Sequence, residues 1–181
     1  MNVQSATRKF DDIIAMKRDQ SLDLLCPCET WHDQDSVSIR RLRAEGLQVL
    51  ERARQRPADS QPSLATNYSG VALAASRGVK LTAINTGGRK RNVEHICVRV
   101  SSRGSSAVVL LVYRPGSVAA DTSFFEDLAD LLDRLVTFSD PLMIVGDLNV
   151  RLDRPDDPAY RRLQELFATY GVVCRVSTPT Q

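Results

Sequence analysis

The stretch Met143-Ile144-Val145-Gly146-Asp147-Leu148-Asn149 decides how this chain is read. Its apolar opening has the length of a buried strand, and the run ends in a glycine followed by Asp-x-Asn. Side chains alternate along a strand, so Asp147 and Asn149 share a face. A carboxylate and a carboxamide side by side at a strand end can hold a water and a phosphoryl oxygen next to a metal ion. The same residue types cap backbone groups in ordinary strand-to-loop turns, and taken alone the motif favours that plainer use. The rest of the chain decides between the two.

Working outward, helix and strand patterns alternate. Phe10, Ile13, Ile14 and Lys17 mark a helical face between about Thr7 and Arg18. Leu22 to Cys26 reads as a short buried strand, Ser36 to Ala44 as a helix stopped by Gly46, and Leu47 to Leu50 as a strand. Gln55 to Ser69, with two prolines, reads as a loop. Strands then follow in series at Val71–Ala75, Val79–Ile84, Val93–Val100 and Ala107–Tyr113. Ile96, Val98 and Val100 alternate with Cys97 and Arg99, the pattern of a half-buried antiparallel strand. Ser123-Phe124-Phe125-Glu126 fits a capping box, and Phe125, Leu128, Leu132 and Leu135 follow at helical spacing. The strand ending at Asp147 comes next, then a helix from Pro158 to Tyr170 closed by Gly171, and a last strand from Val172 to Val176. This order predicts an α/β (α+β) fold: two mixed β-sheets packed as a sandwich with helices on the outer faces, formed by residues 1–181 as a single domain.

With 181 residues, 43% hydrophobic and 25% charged, the chain has the composition of a globular domain. Apolar runs such as Ala107 to Tyr113 are far too short to span a bilayer, and no secretory leader is visible, so no membrane partner is expected. Cys26 and Cys28 are spaced C-x-C and no second close pair completes a zinc set, so buried thiols are expected. The net charge of +2 hides an asymmetry: residues 36–105 carry 13 Lys or Arg against 4 Asp or Glu, while both flanks are acidic. Arg40, Arg41 and Arg43, then Arg52, Arg54 and Arg56, then Arg89, Lys90 and Arg91 are candidates for a phosphate-facing rim or for plain solvated surface.

Four short segments matter together: Met1-Asn2-Val3-Gln4-Ser5, Cys28-Glu29-Thr30-Trp31, Val112-Tyr113-Arg114-Pro115 and Gly146-Asp147-Leu148-Asn149. In order and spacing they resemble the endonuclease/exonuclease/phosphatase superfamily, and more closely the apurinic-type endonuclease domain of non-LTR retrotransposons. Leu22-Asp23-Leu24-Leu25-Cys26, Ser69-Gly70-Val71-Ala72, Phe124-Phe125-Glu126-Asp127-Leu128 and Thr178-Pro179-Thr180 extend the likeness over nearly the whole chain. The resemblance implies metal-assisted hydrolysis of a phosphodiester, with Mg²⁺ or Mn²⁺ as cofactor and DNA as partner. By the same resemblance Glu29 is the main metal ligand and Asn2 sits beside the metal. Tyr113 hydrogen-bonds the scissile phosphate, Asp147 orients or deprotonates the attacking water, and Asn149 holds a phosphate oxygen. Arg114, Arg89, Lys90 and Arg91 are the nucleic-acid-binding candidates. A reverse transcriptase domain in a longer parent protein, and an intracellular setting that is nuclear if genomic DNA is cut, follow as expectations.

Several features depart from the family pattern. The pattern continues past Thr-Pro-Thr through a strand carrying an Asp and ends in Ser-Asp-His, whereas the sequence stops at Gln181. Strand one begins close to the Asn, so the sandwich is expected to be incomplete at both ends and its activity impaired. Pro27 falls in the strand leading to Glu29, where a proline cannot donate to a ladder. Asn67-Tyr68-Ser69-Gly70 stands where Asn-His-Gly-Gly is usual. His32 and His95 match no catalytic histidine and read as structural, and Trp31 reads as core. Three readings stay open: a DNA endonuclease, a phosphatase of the same superfamily on a small phosphorylated substrate, and a nucleic-acid-binding remnant without catalysis.

Overall fold

The computed structural model describes residues 1–33, 36–54, 69–117 and 119–175. Its elements run α1 (Phe10–Asp19), β1 (Leu24–Leu25), α2 (Val37–Ala44), β2 (Gln48–Arg52), β3 (Val71–Ala75), β4 (Lys80–Ala83), β5 (Glu94–Ser102), β6 (Ser105–Tyr113), α3 (Thr122–Leu135), β7 (Leu142–Asp147) and α4 (Pro158–Thr169). The first sheet has the order β1-β3-β2 and is antiparallel throughout. The second has the order β4-β5-β6-β7, antiparallel except for the parallel β6–β7 pair. That parallel pair requires a crossover, and α3 supplies it.

The alternation of strand side chains builds three apolar layers. Val71, Leu73 and Ala75 of β3 face Leu81, Ile96, Val98, Val109 and Leu111 of the second sheet, filling the space between the sheets. Ala72 and Ala74 point the other way, onto Ile13 of α1 and Ile39 and Leu42 of α2. Val108, Leu110 and Val112 of β6 face outward onto α3 and α4. The result is a sandwich of helices, sheet, sheet and helices, the architecture expected from the sequence. β3 and β6 are therefore buried on both faces, which is why they read as unbroken apolar runs. The α3 face buries Phe124, Phe125, Leu128, Leu131, Leu132 and Leu135. At about 1.5–3 kcal/mol per fully buried side chain, this one helix anchors the second sheet by roughly 10–15 kcal/mol before conformational entropy is charged against it.

Local differences have local causes. The N-cap of α3 is Asp121, not Ser123: the Asp121 carboxylate accepts from the Phe124 N–H at 3.1 Å, and the Ser123 hydroxyl donates to the same carboxylate at 2.8 Å. A carboxylate is the better acceptor at the positive end of a helix, so it takes the cap and draws the serine to it. Pro27 breaks the first strand as its missing donor requires. The regular ladder is confined to Leu24–Leu25, Pro27 offers only its carbonyl to the Ala72 N–H, and pairing resumes at Cys28 through isolated bridges to Asn2 and Val71. Residues 172–175 form no strand, and the end of the strand expected there lies outside the described residues, as does the greater part of the loop expected over 55–69. Trp31 is half-buried at the surface rather than in any of the three apolar layers. Among the described residues, no helix is long and apolar enough to cross a membrane.

Candidate active site

Strand ends from both sheets converge at one rim of the sandwich. Residue 2 bridges Cys28 in parallel, and Cys28 bridges Val71. On the other sheet Glu94 opposes Tyr113, and Tyr113 opposes Asp147. Gly146 makes the last of these pairings possible. Its φ is +125°, and a Cβ there would stand 1.9 Å from the Val112 carbonyl oxygen. Only glycine allows β7 to lie this close to β6, and the close approach sets Asp147 beside Tyr113.

Four of the side chains singled out in the sequence meet directly. The Asn2 amide donates from Nδ2 to Glu29 Oε1 at 2.8 Å and to Asp147 Oδ2 at 3.2 Å. The Tyr113 hydroxyl donates to the same Glu29 oxygen at 2.7 Å. Burial, and then the Glu29 hydrogen bond, push the Tyr113 phenol well above its ordinary range, so it stays a hydrogen-bond donor at neutral pH. Asp147 Oδ1 accepts from the Asn149 backbone N–H at 2.9 Å. Asn149 thus joins the group through its backbone, while its side chain turns away and donates from Nδ2 to the Arg114 carbonyl at 2.7 Å.

Arg114, a nucleic-acid candidate by sequence, faces inward. It is 4% exposed, and its guanidinium donates to the carbonyls of Leu148 and Asn149. Its role in this arrangement is to hold the loop that follows Asp147. Arg89, Lys90 and Arg91 lie on the loop between β4 and β5; Arg89 donates to the Ala53 carbonyl at 3.2 Å, Lys90 pairs with Asp130 and Arg91 is exposed. Cys28 lies beneath Asp147, and burial pushes its thiol up to about 12, so it remains protonated and offers no thiolate.

The backbone carrying these groups is held in unusual conformations. Glu29, Trp31 and Asn149 have φ of +53°, +50° and +51°. Each such residue without a glycine costs on the order of 1–2 kcal/mol. Hydrogen bonds on both sides stabilise the first two. Ser5 and Ala6 donate to the carbonyls of Glu29 and Thr30, and Thr30 and Trp31 donate to those of Gly70 and Ser69.

The carboxylates of Glu29 and Asp147 present only oxygen, while the Asn2 amide turns Nδ2 toward both and its Oδ1 accepts from the Gln4 N–H at 3.3 Å. Among the described residues no group of three or more His, Cys, Asp or Glu comes together that could hold a metal. Mg²⁺ takes one or two carboxylates and keeps several waters, so the oxygen-only pair of Glu29 and Asp147 suits it. The residues fit a hard divalent cation.

Thr30, His32, Glu51, Gly70 and Glu94 support this rim; the structural reading of His32 holds, Thr30 and Gly70 stood in the sequence segments without a role, and Glu51 and Glu94 were not singled out. Glu94 accepts from the Gly70 N–H at 2.8 Å, from Arg54 Nε at 2.8 Å and from the Ser69 hydroxyl. The run Glu29-Thr30-Trp31-His32 and the glycine at position 70 are a signal that local pattern cannot connect, and Glu51 and Glu94 carry none.

The family model for the endonuclease/exonuclease/phosphatase family matches residues 1–171. The chain belongs to that family. A comparison with curated proteins finds no match. Among solved structures, the endonuclease domain of TRAS1, a telomere-specific non-LTR retrotransposon, superposes with a TM-score of 0.67 at 12% identity, covering 94% of this chain and 68% of that one. The 3′-5′ exonuclease NExo of Neisseria meningitidis gives 0.62 at 20% identity, covering 92% and 68%. The AP endonuclease LMAP of Leishmania major gives 0.61 at 17%, covering 93% and 65%. At these identities the likeness establishes the fold, and the chain spans about two thirds of the length of the solved proteins it matches.

Proposed function

We propose that this chain is the core of a divalent-metal-dependent DNA endonuclease of the kind carried by non-LTR retrotransposons ahead of a reverse transcriptase. One observation carries the reading: the Asn2 Nδ2 lies between the carboxylates of Glu29 and Asp147 while Tyr113 donates to the same Glu29 oxygen. Two carboxylates, an amide and a protonated phenol at the end of a rigid sandwich suit an in-line displacement at phosphorus. The family match and the TRAS1 fold support the class.

Glu29 would hold Mg²⁺ or Mn²⁺, joined by Asn2 Oδ1 once the amide turns over from the Gln4 N–H, and the cation when bound supplies charge neutralisation at a phosphate oxygen. Asp147 orients a water through Oδ2 and takes its proton as the water oxygen bonds to phosphorus; the bond to the leaving sugar oxygen breaks and that oxygen takes a proton from bulk water. The Tyr113 hydroxyl donates to a non-bridging phosphate oxygen, exchanging its Glu29 bond for one to substrate. Asn149 reaches a phosphate oxygen once its side chain releases the Arg114 carbonyl. The exposed Arg89 and Arg91 would add positive charge for a phosphate backbone, with Lys90 already paired to Asp130.

The test is nicking of supercoiled plasmid in Mg²⁺ or Mn²⁺. Nicking that disappears in Glu29→Ala is the expected result. Phosphate release from small phosphomonoesters without nicking would move the assignment to a phosphatase. Salt-sensitive DNA binding with no cleavage under either metal would refute the catalytic reading.

A further inference from the structure

Next to Glu29 in sequence begins a chain of polar groups, buried at Thr30 and His32 and partly buried at Glu51, that the proposed reaction does not use. The Thr30 hydroxyl is 2.5 Å from His32 Nδ1, and His32 Nε2 is 3.0 Å from Glu51 Oε2 on β2. A carboxylate only accepts, so Nε2 carries the proton toward Glu51. Glu51 also accepts from the Ala53 N–H at 3.2 Å, which fixes it to the end of its own strand. At an open surface, hydroxyl, imidazole and carboxylate in this order would suggest a hydrolytic triad. Here Thr30 and His32 are each 1% exposed. Gly70 is packed against both: a Cβ there would stand 2.7 Å from Thr30 Oγ1 and 2.9 Å from His32 Nδ1. No substrate reaches the hydroxyl, so the chain has a different use.

Its position indicates that use. Thr30 follows Glu29 directly, and the two left-handed residues Glu29 and Trp31 flank it. No regular strand includes this turn; backbone hydrogen bonds from Ser5 and Ala6 and to Ser69 and Gly70 flank it without reaching the second sheet. Tertiary contacts do: Gly70 accepts from Thr30 and donates to Glu94, Glu94 opposes Tyr113, and Tyr113 returns to Glu29. His32 and Glu51 complete this circuit on the side of the first sheet. We propose that His32 and Glu51 are positioning residues that hold the strained turn and so aim the Glu29 carboxylate at the cation. This inference rests on the reading of Glu29 as a metal ligand. Partners outside the immediate ligands typically govern metal affinity by 10- to 100-fold.

The experiment measures Mn²⁺ binding to the chain by calorimetry, with thermal melting alongside. His32→Leu is expected to weaken Mn²⁺ binding about 10-fold or more while still melting cooperatively. His32→Gln, which returns a donor to Glu51, is expected to recover affinity to within about threefold. His95→Gln removes an equally buried histidine that bonds Thr86 instead, and it should lower the melting temperature but leave Mn²⁺ affinity unchanged. If His32→Leu does not melt cooperatively, Glu51→Gln takes its place under the same criterion. Wild-type affinity in the folded His32→Leu protein, or equal weakening in His95→Gln, overturns the proposal. Undiminished Mn²⁺ binding in Glu29→Ala overturns instead the ligand assignment on which it rests.

Discussion

Gly146→Ala tests whether the approach of β7 to β6 builds the site. The added Cβ would lie 1.9 Å from the Val112 oxygen, and real Cβ atoms essentially never come within 3.0 Å of such a neighbour. The backbones must therefore separate by about 1 Å or rotate out of register. The pairs Val112↔Gly146 and Tyr113↔Asp147 are the last two of this ladder and would be lost first. Two hydrogen bonds at a net of about 1 kcal/mol each, plus roughly 1–2 kcal/mol for alanine at a φ of +125°, give a destabilisation of about 3–4 kcal/mol. For a domain of 150–250 residues this lowers Tm by roughly 6–16 °C, leaving the protein folded at room temperature. Asp147 would also move away from Tyr113, so nicking should fall far more than stability at 25 °C suggests. Circular dichroism melting and plasmid nicking measure the two effects. A variant melting within 2 °C of the parent (roughly the shift from half a kcal/mol) with full activity would refute the close-approach argument.

His95 makes an acid-sensitivity prediction. Burial, and then the positive charges of Arg52 and Lys90, lower its pKa to about 4 from an ordinary 6.5. The stabilisation is present above pH 6.5 and is lost as pH falls toward 4, up to about 3 kcal/mol in all. Denaturant midpoints across this window should drop in the parent and stay flatter in His95→Gln. Tyr113 acts at the other end: its raised pKa stabilises the fold below about pH 10, and the contribution is lost as pH rises beyond that. Tyr113→Phe should lack this alkaline loss, which is checked by melting between pH 8 and 11. Removing the guanidinium in Arg114→Met strips the Leu148 and Asn149 carbonyls of their buried donor, costing about 2 kcal/mol and loosening the loop after Asp147. Faster amide exchange at residues 148–150 would show it, and unchanged exchange would count against the clamp.

The sequence by itself determined the layers. β3 and β6 are unbroken apolar runs because each is buried on both faces, α3 announces itself by its period although its cap falls at Asp121 and not Ser123, and Pro27 marks where the first strand must break. Glu29, Tyr113 and Asp147 were legible as site candidates through the family resemblance, since pattern alone leaves them as ordinary residues at strand ends. Only the tertiary structure decided which of these meet. Asn2 lies 145 residues from Asp147, and no local pattern could place its amide between two carboxylates. Arg114 reads as a surface cation until the Leu148 and Asn149 carbonyls are seen to claim it. Thr30, His32, Glu51 and Gly70 come from three segments, and their contacts depend on how two sheets face each other. Periodicity encodes which face of an element is buried, a property of neighbours along the chain; the partner across that face depends on packing between elements distant in sequence, and there the site is made.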